Sequence, residues 1–573
     1  MPAAPAAAPS LLTALLRAAG HQALNFDVSR FCVQELLRPA NLSASLSRGT
    51  KPSVLPLTAL QASLSHMQRH VDKLCDMATY GSLRDYEPPR LAVDEAFAVH
   101  ASAHGASHWS PMSLLYEGDH DLDDPKALIR AVERGDEVFD PVLPAAARHV
   151  AAYKPGLVAF SVSSIDQLYG ALRLAKLIRE LLPPAHLCLG GPAVTRIRRG
   201  IRAFPPLFDL VDSVGLHEGE AQLLALAAAL DAKDDLLTKV PDLLARRDGE
   251  VVSSAAVEPS CVALDELPVP ELDDLVPGRW LTPAPRLPLS TTRNCYHNRC
   301  TFCAISRSFR AGFRHMTPER VLDHVRRLQE RYPSAVIKEV SEAFPPATLL
   351  RYAALAASQE APMPFETCLR FEPQFQSANA ARALHRGGLR VAYFGLESGS
   401  AAQIQEMRKG IDLGIAADTL KSFAEEGIWC HVFFISGLPR ETEKDHEESL
   451  EFISRYRPWI HSAQISSFSL AVDSDASALQ ARYGFKLRPR PEASFHVDHE
   501  LEERGNIPSR EETDRRVSEL RTAAYQGADD TLARSRRVWD AHKIFFSLMA
   551  GGPEIPSRAP CARAIVKNGG AHD

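Results

Sequence analysis

The chain has 573 residues, 45% of them hydrophobic, and a formal charge of -6 from 65 Lys and Arg against 71 Asp and Glu. That composition suits several globular cores; the charge gives no reason to expect nucleic acid as a partner, and no apolar run approaches the ~18 residues of a membrane span. The opening "MPAAPAAAPS" lacks the basic-then-apolar layout of a secretory leader and reads as a tail, while ten cysteines, scattered except at 295–303, point to a reducing, cytoplasmic setting.

In "SLLTALLRAAG", Ser10 is the expected N-cap, Leu11, Leu12, Leu15 and Leu16 share a face, and Gly20 is the stop. "HQALNFD" reads as a short strand ending at Asp27. Residues 40–150 read as a largely helical insertion with Pro-containing breaks, inside a first domain spanning 1–255. There "HASAHGASHW" spaces His100, His104 and His108 four apart. A helix would put them on one face, but Gly105 and the serines weaken that helix and no carboxylate is spaced to complete a metal site.

From Gly156 the pattern alternates. "GLVAFSVSS" reads as a buried strand, "LYGALRLAKLIRELL" as a helix with Leu168, Leu172, Ala175 and Ile178 on one face, and "AHLCLGGP" as a strand closed by Gly190 and Gly191. "FDLVDSVGLHEGEAQLLALAAAL" repeats strand, turn and helix. The alternation predicts an α/β fold with a doubly wound parallel sheet and a ligand crevice at the carboxyl ends of its strands. Ser161–Ser164, Gly190–Gly191 and Gly215–Glu220 fall at that edge.

A linker rich in Pro, Asp and Glu follows at 256–282. A second alternating series occupies 283–480, with strands expected near 288–292, 335–341, 364–370, 389–396, 428–435 and 462–470. Six βα units suit a partial barrel, whose site lies at the C-terminal ends of its strands. Thr317 and Pro318 make an N-cap with Pro at the first helical position. Residues 481–573 read as a helical, irregular extension that caps the substrate, with "RSRRVWDAHK" near Arg534 as a solvated helix face.

"RNCYHNRCTFC" follows the first strand of this series and carries Cys295, Cys300 and Cys303 as C-x4-C-x2-C. Structural zinc would need a fourth ligand from elsewhere, such as His315 or Cys368. Inert packing would be unusual for three thiols within nine residues of a polar loop. A [4Fe–4S] cluster on three thiolates leaves one iron open to a substrate or cofactor. Spacing alone leaves these readings open.

The loop resembles the C-x3-C-x2-C pattern of the radical S-adenosylmethionine (SAM) superfamily, with one extra residue between Cys295 and Cys300 and the matching aromatic Phe302 before the third cysteine. "YFGLESGS", with Gly395, Glu397, Ser398 and Gly399, and "FFISGLPRET", with Ser436 and Gly437, are similar to SAM-contacting segments of that superfamily. Arg370, ending "FETCLR", lies where polar side chains approach SAM. Upstream, "VAFSVSSIDQLYGALRLAKLIRELLP", "LCLGGP" and "HEGEAQ" resemble the cobalamin-binding domain of B12-binding radical SAM proteins of the class B methyltransferase type.

The resemblance implies a Rossmann-like cobalamin domain, then a partial (β/α)6 radical SAM barrel and a helical C-terminal extension. It implies a [4Fe–4S] cluster on the three cysteines, SAM at the barrel positions just named, and cobalamin at Ser161, Ser163, Ser164, Gly190, Gly191, Gly215, Glu218, Gly219 and Glu220. Small residues there would admit the corrin and its nucleotide tail, and residues 100–108 would form a loop or cap over it. No D-x-H-x-x-G motif is present, which implies base-off cobalamin without an axial histidine. The implied activity is a methyltransferase acting on an unactivated carbon of a natural-product or cofactor precursor, through a 5'-deoxyadenosyl radical and methylcobalamin. It would take a small-molecule or peptide substrate and electrons from a donor such as flavodoxin or ferredoxin. Cyclisation or rearrangement without net methylation, and a non-catalytic cobalamin or Fe–S sensor, are the alternatives. A methylthiotransferase would need a second cysteine cluster, for which Cys32, Cys75 and Cys188 are too dispersed.

Overall fold

Leu187 and Leu189 point to one side of the strand His186–Gly190 and Cys188 to the other, and apolar helices meet both sides. This alternation sets the first half of the chain in a computed structural model that describes residues 5–48, 65–104, 123–135, 139–254, 261–276, 280–525 and 538–550. Strands β1 (Leu157–Ser161), β2 (His186–Gly190) and β3 (Ser213–Gly215) are parallel; β4 (Leu243–Arg247) and β5 (Glu250–Ser253) extend the sheet as an antiparallel hairpin in the order β1-β2-β3-β4-β5. The helices Leu143–Ala152 and Leu168–Leu181 cover one face, and Ala7–Ala18 with Gly219–Ala232 the other. The α/β reading with a parallel sheet holds. The strand expected at "HQALNFD" does not form. Its backbone groups are taken by side chains instead: Ala23 O accepts from Arg17 (2.8 Å) and Asn25 N donates to Asp274 (2.9 Å).

The second series forms one six-stranded parallel sheet: β6 (Arg286–Leu289), β7 (Val336–Glu339), β8 (Phe365–Leu369), β9 (Leu389–Glu397), β10 (Trp429–Ser436) and β11 (Ser462–Ser467), in the order β11-β10-β9-β8-β7-β6. Ala392, Phe394 and Leu396 join the large core shared with the surrounding helices, whereas Val391 and Tyr393 face a different cluster inside the curve of the sheet. Thr317 caps the helix Pro318–Arg331 as expected, its Oγ1 accepting from Arg320 N. The helix packed on β11 is Arg510–Tyr525, so the sixth unit closes beyond residue 480. Residues 481–507 are not the helical stretch expected. With 468–480 they hold two short strand pairs and cross to the N-terminal body, where Asp473 meets Arg198 and Arg199 (both 2.9 Å) and Phe495 packs edge-on to Phe204.

The helical insertion divides: Pro125–Arg134 and Leu143–Ala152 pack on the first sheet, while Pro39–Ser47, Met67–Leu74 and Leu83–Ala103 pack with Lys543–Met549 on the residues that begin the barrel strands, where Tyr80, Tyr86, Phe97, Trp539 and Phe545 meet Leu281, Val336, Val391 and Trp429. His100 touches Ser45 (3.1 Å) and stacks near His104 in this layer, and His108 lies outside the described residues. Arg534 also lies outside them, but Trp539, His542 and Lys543 of the same segment are buried and do not form a solvated face. They are buried because the barrel's open base offers an apolar seat larger than the strands can fill. Above this plug, Glu366 pairs with Arg286 and accepts from Tyr393 OH (3.0 Å), Lys338 lies over the Tyr393 ring (4.1 Å), and Lys543 reaches His431 (2.8 Å). Burial works against the Glu366 carboxylate, and Arg286 and Lys338 overcome it, holding its pKa below the ordinary value. No described helix is long and apolar enough to cross a membrane.

Candidate cofactor site

Thr292–Arg293, just past β6, pairs antiparallel with Arg314–His315, and the excursion between these strands carries Cys295, Cys300 and Cys303. Asn294 turns the chain in the left-handed region (φ 68°), which asparagine tolerates, and its Oδ1 accepts from Cys295 N (2.7 Å). Burial pushes the Cys300 thiol up against the opposing pull of Lys409 and Arg370, and pushes Cys303 up to about 11. The three sulfurs do not converge on a single-ion site. Among the described residues only Glu443, His446 and Glu519 bring three ligand atoms within 4.8 Å of one another. Tetrahedral zinc would hold thiolate sulfurs about 3.8 Å apart. The other candidate ligands are engaged elsewhere: His315 Nδ1 meets Met316 O and Cys368 lies by Lys338 inside the barrel. Three thiols on one loop, too spread for one ion and flanked by two cations, fit a multi-iron cluster.

A second loop grips the first. Thr301 N donates to Met407 O (2.9 Å), His297 Nε2 meets Arg408 O (2.8 Å) and Arg370 Nη2 donates to Lys409 O (2.6 Å). Lys409 Nζ donates to Glu397 Oε1 (2.8 Å), both side chains under a tenth exposed, and lies 5.8 Å from the Phe302 ring. Glu397 is itself in left-handed backbone (φ 71°), a strain of the kind held at functional sites. Glu372 ties the set together, accepting from Arg370 Nε (3.0 Å) and Tyr296 OH (2.9 Å). Thus Phe302, Arg370, Gly395 and Glu397 gather at the cysteine loop, Gly395 facing Glu397 and Lys409. Tyr296, His297, Glu372 and Lys409 carry no role expected from sequence, although Tyr296 and His297 lie within the cysteine motif and the basic turn "MRKG" after "ESGS" carries Lys409.

The remaining barrel positions are occupied by packing. Ser398 Oγ meets Ser449 Oγ, and a Cβ on Gly399 would sit 2.7 Å from Ser449 Cα, so this glycine admits the helix Glu443–Tyr456. Ser436 Oγ and Gly437 N both donate to Glu441, and Gly437 backs onto Thr513.

An open cavity of about 2200 Å³ runs from the N-terminal segment (Leu12, Ala23, Asp27) past β1 to the carboxyl edge of β1–β3 and the barrel facing it. Ser161, Ser163, Ser164, Gly190, Gly191, Gly215, Glu218, Gly219 and Glu220 all line it, opposite Pro288, Ser290, Thr292, Val340, Ser341 and Glu342. It exceeds the roughly 300–1,000 Å³ typical of small-molecule pockets and has room for a corrin-sized group. The glycines are small partly for internal reasons. Gly191 (φ 110°) approaches Val162, where a Cβ would lie 2.5 Å from the carbonyl oxygen, and Gly215 abuts Gln222. Gly219 rests on Leu12, while a Cβ on Gly190 would make only ordinary contact, 3.6 Å from Gly215 O. Ser163 and Ser164 are exposed, their N–H groups bonded to Gln167 Oε1 (2.8 and 3.2 Å). Glu218 and Glu220 pair with barrel arginines, Arg314 and Arg293, instead of standing free. His217 also lines this edge, in left-handed backbone (φ 61°); burial and the nearby Arg310, Arg198 and Arg202 hold its pKa below the usual value. Glu342, just past β7, is open to the cavity yet enclosed by protein, and enclosure with the neighbouring Glu339 pushes its pKa up to about 7.

The pattern of the Radical SAM superfamily matches residues 289–453, from the end of β6 into the helix Glu443–Tyr456. Residues 289–453 are a radical SAM domain. PH0819 of Pyrococcus horikoshii, described as an uncharacterized methyltransferase, is 25% identical over 318 residues, which cover 54% of this chain and 66% of that protein. The cobalamin-dependent SAM radical enzyme OxsB, solved with aqua-cobalamin and SAM, overlays with a TM-score of 0.52 at 16% identity, covering 66% of this chain and 59% of that one. The methyltransferase TsrM of Kitasatospora setae overlays at 0.48 with 13% identity, covering 59% and 69%. The chain therefore spans about two thirds of the Pyrococcus relative and less of OxsB. The overlay with OxsB is a likeness of fold: a radical SAM domain joined to a parallel-sheet body.

Proposed function

We propose that the chain is a cobalamin-dependent radical SAM methyltransferase acting on an unactivated carbon. The observation that carries this reading is the cavity: it joins the carboxyl edge of one parallel sheet to the end of the first barrel strand, beside the cysteine loop. Cys295, Cys300 and Cys303 would hold a [4Fe–4S] cluster, and Phe302, Arg370, Glu397 and Lys409 would flank SAM. Ser161, Ser163, Ser164 and Gly190 would face cobalamin. When bound, these groups supply a 5'-deoxyadenosyl radical and a transferable methyl group. The protein's residues place and shield. The plug of Trp539 and Phe545 closes the barrel base, so access is confined to the cavity side, where water can be excluded by the bound ligands. Glu342 offers the substrate a carboxyl that can hold or release a proton near neutral pH. The descriptions of PH0819, OxsB and TsrM support methyl transfer and cobalamin as the chemistry to test.

Anaerobically reconstituted protein should carry about four irons bound through cysteine and cleave SAM only with reductant. It should bind cobalamin base-off, with no axial nitrogen splitting in the Co(II) EPR signal. Splitting lost in His217→Phe would instead put that histidine on the cobalt. With substrate and CD3-labelled SAM, product should gain CD3 as one 5'-deoxyadenosine and one S-adenosylhomocysteine form. Conversion without methyl gain would replace this reading with cyclisation or rearrangement, and absence of SAM cleavage would leave a sensor.

A further inference from the structure

The two acidic residues of "HEGEAQ" raise a question of energy. Glu218 and Glu220 open the helix Gly219–Ala232, where the helix dipole favours negative charge. They do not stay in their own domain. Glu220 Oε1 accepts from Arg293 Nη2 at 2.6 Å, with both side chains 9% exposed. Arg293 Nη1 donates further to Ser290 Oγ (2.6 Å) and Thr292 O (3.1 Å), so three of the five guanidinium N–H groups are engaged. Glu218 pairs with Arg314, whose Nη1 donates to Val262 O (3.1 Å).

Arg293 and Arg314 face each other across the short antiparallel pair that opens and closes the cysteine excursion. Both ends of the segment 294–313 are thus pinned to the start of the helix that follows β3, at Glu220 and Glu218. Only Asn294 stands between Arg293 and Cys295, and Asn294 holds the Cys295 amide. Arg310, on the same excursion, bonds Asp242 (3.1 Å), which adds a third tie to the same body. A buried ion pair adds little stability over well-packed apolar residues, because desolvation offsets the attraction; its best-attested use is to specify geometry. Here the geometry specified is the distance from the cysteine loop to the sheet edge across the cavity.

We propose that Glu220–Arg293 and Glu218–Arg314 are positioning pairs that hold the cysteine loop at one fixed distance and angle from the carboxyl edge of the parallel sheet. The proposal rests on the reading that the cluster and cobalamin occupy those two places. It makes these four residues responsible for alignment of the two groups, not for holding either.

The test uses the full-length reconstituted protein and pulsed dipolar EPR between the reduced cluster and Co(II) of cobalamin. The wild type should give one narrow distance distribution. The double variant Glu220→Met/Arg293→Met leaves no orphan charge and should unfold near the wild-type temperature with its iron retained, yet lose the narrow distribution. Arg293→Lys, which keeps the charge but not the fork, should recover part of it. If the double variant misfolds, Arg314→Met with Glu218→Met tests the other pair. An unchanged distribution in a folded double variant overturns the proposal. A wild type that binds no cobalamin defeats the functional reading instead. In that case a nitroxide on Glu180→Cys, exposed on the same body, replaces cobalt as the second spin and the same comparison decides the clasp.

Discussion

The two mouths of the barrel are built differently. At the base, where the strands begin, aromatic rings and a closed polar network leave little unmatched: Glu366 has Arg286, Lys338 and Tyr393, and His542 donates to Leu281 O (2.6 Å) while its Nδ1 accepts from Tyr86 OH (3.0 Å). At the top, left-handed residues Asn294 and Glu397 stand with Lys409 and Arg370 around the cysteine loop, and Thr292, Arg293 and Glu342 line the large cavity beside it. Both ends pair their charges, but the base packs its pairs under aromatic rings, whereas the top holds them in left-handed loops beside an open cavity. Stability and function are therefore expected to separate along the barrel axis.

The largest effect expected from breaking that separation is at the top. Cys295→Ala, Cys300→Ala or Cys303→Ala should remove most iron and all reductive SAM cleavage, while the unfolding temperature of the metal-free protein stays at the wild-type value. Stoichiometric zinc in the wild type, or activity in all three variants, would undo the assignment. At the base the pattern should invert. Glu366→Ala orphans Arg286, which is buried at 4% exposure, and should cost about 3–5 kcal/mol in denaturant unfolding while iron binding persists in the folded fraction. Phe545→Ala, fully buried against Tyr80, should cost about 3 kcal/mol or more by leaving a cavity.

The smallest effects should be in pH dependence, and they should have opposite signs. His542 is held neutral, its pKa down to about 3 by burial against an ordinary 6.5. Below 6.5 the unfolded chain takes up a proton that the folded chain refuses, so stability falls as pH falls toward 3. His542→Gln should flatten that slope. Glu342 has its pKa up to about 7 by enclosure against an ordinary 4.5. Between those values the folded chain keeps a proton that the unfolded chain releases, so this residue makes stability fall as pH rises from 4.5 to 7. Glu342→Gln should remove the dependence, measured as unfolding midpoints across that range. Equal slopes in wild type and both variants would show that neither end titrates in this way.

Much of this contrast was legible beforehand. The strands β6 to β11 fall where alternating apolar runs put them, and the cysteine loop follows the first of them, because both are written in consecutive residues. The cavity edge was legible too: Ser161, Gly190 and Glu220 follow from the strand–turn–helix rhythm. The roles inside that edge were not. Gly191 and Gly399 looked like ligand-facing glycines, but each also lets two backbone elements meet, and nothing in a glycine's sequence context tells these duties apart. "HQALNFD" has a strand's composition but lost its ladder to Arg17 and Asp274, the second 249 residues from its partner Asn25. "VWDAHK" looked solvated because its charges were visible and the barrel base that buries them was not.

By itself, the sequence determined the two α/β series, their order, and the three thiols on one loop, since periodicity and short spacing are local properties that survive any arrangement of the rest. Tertiary structure alone decided which charges meet. Arg293 finds Glu220 across 73 residues, and His542 finds Leu281 across 261. Such pairs carry no local signature: each residue alone is an ordinary polar side chain, and its partner is set only when the sheet edge and the barrel mouths bring the distant segments to the same place.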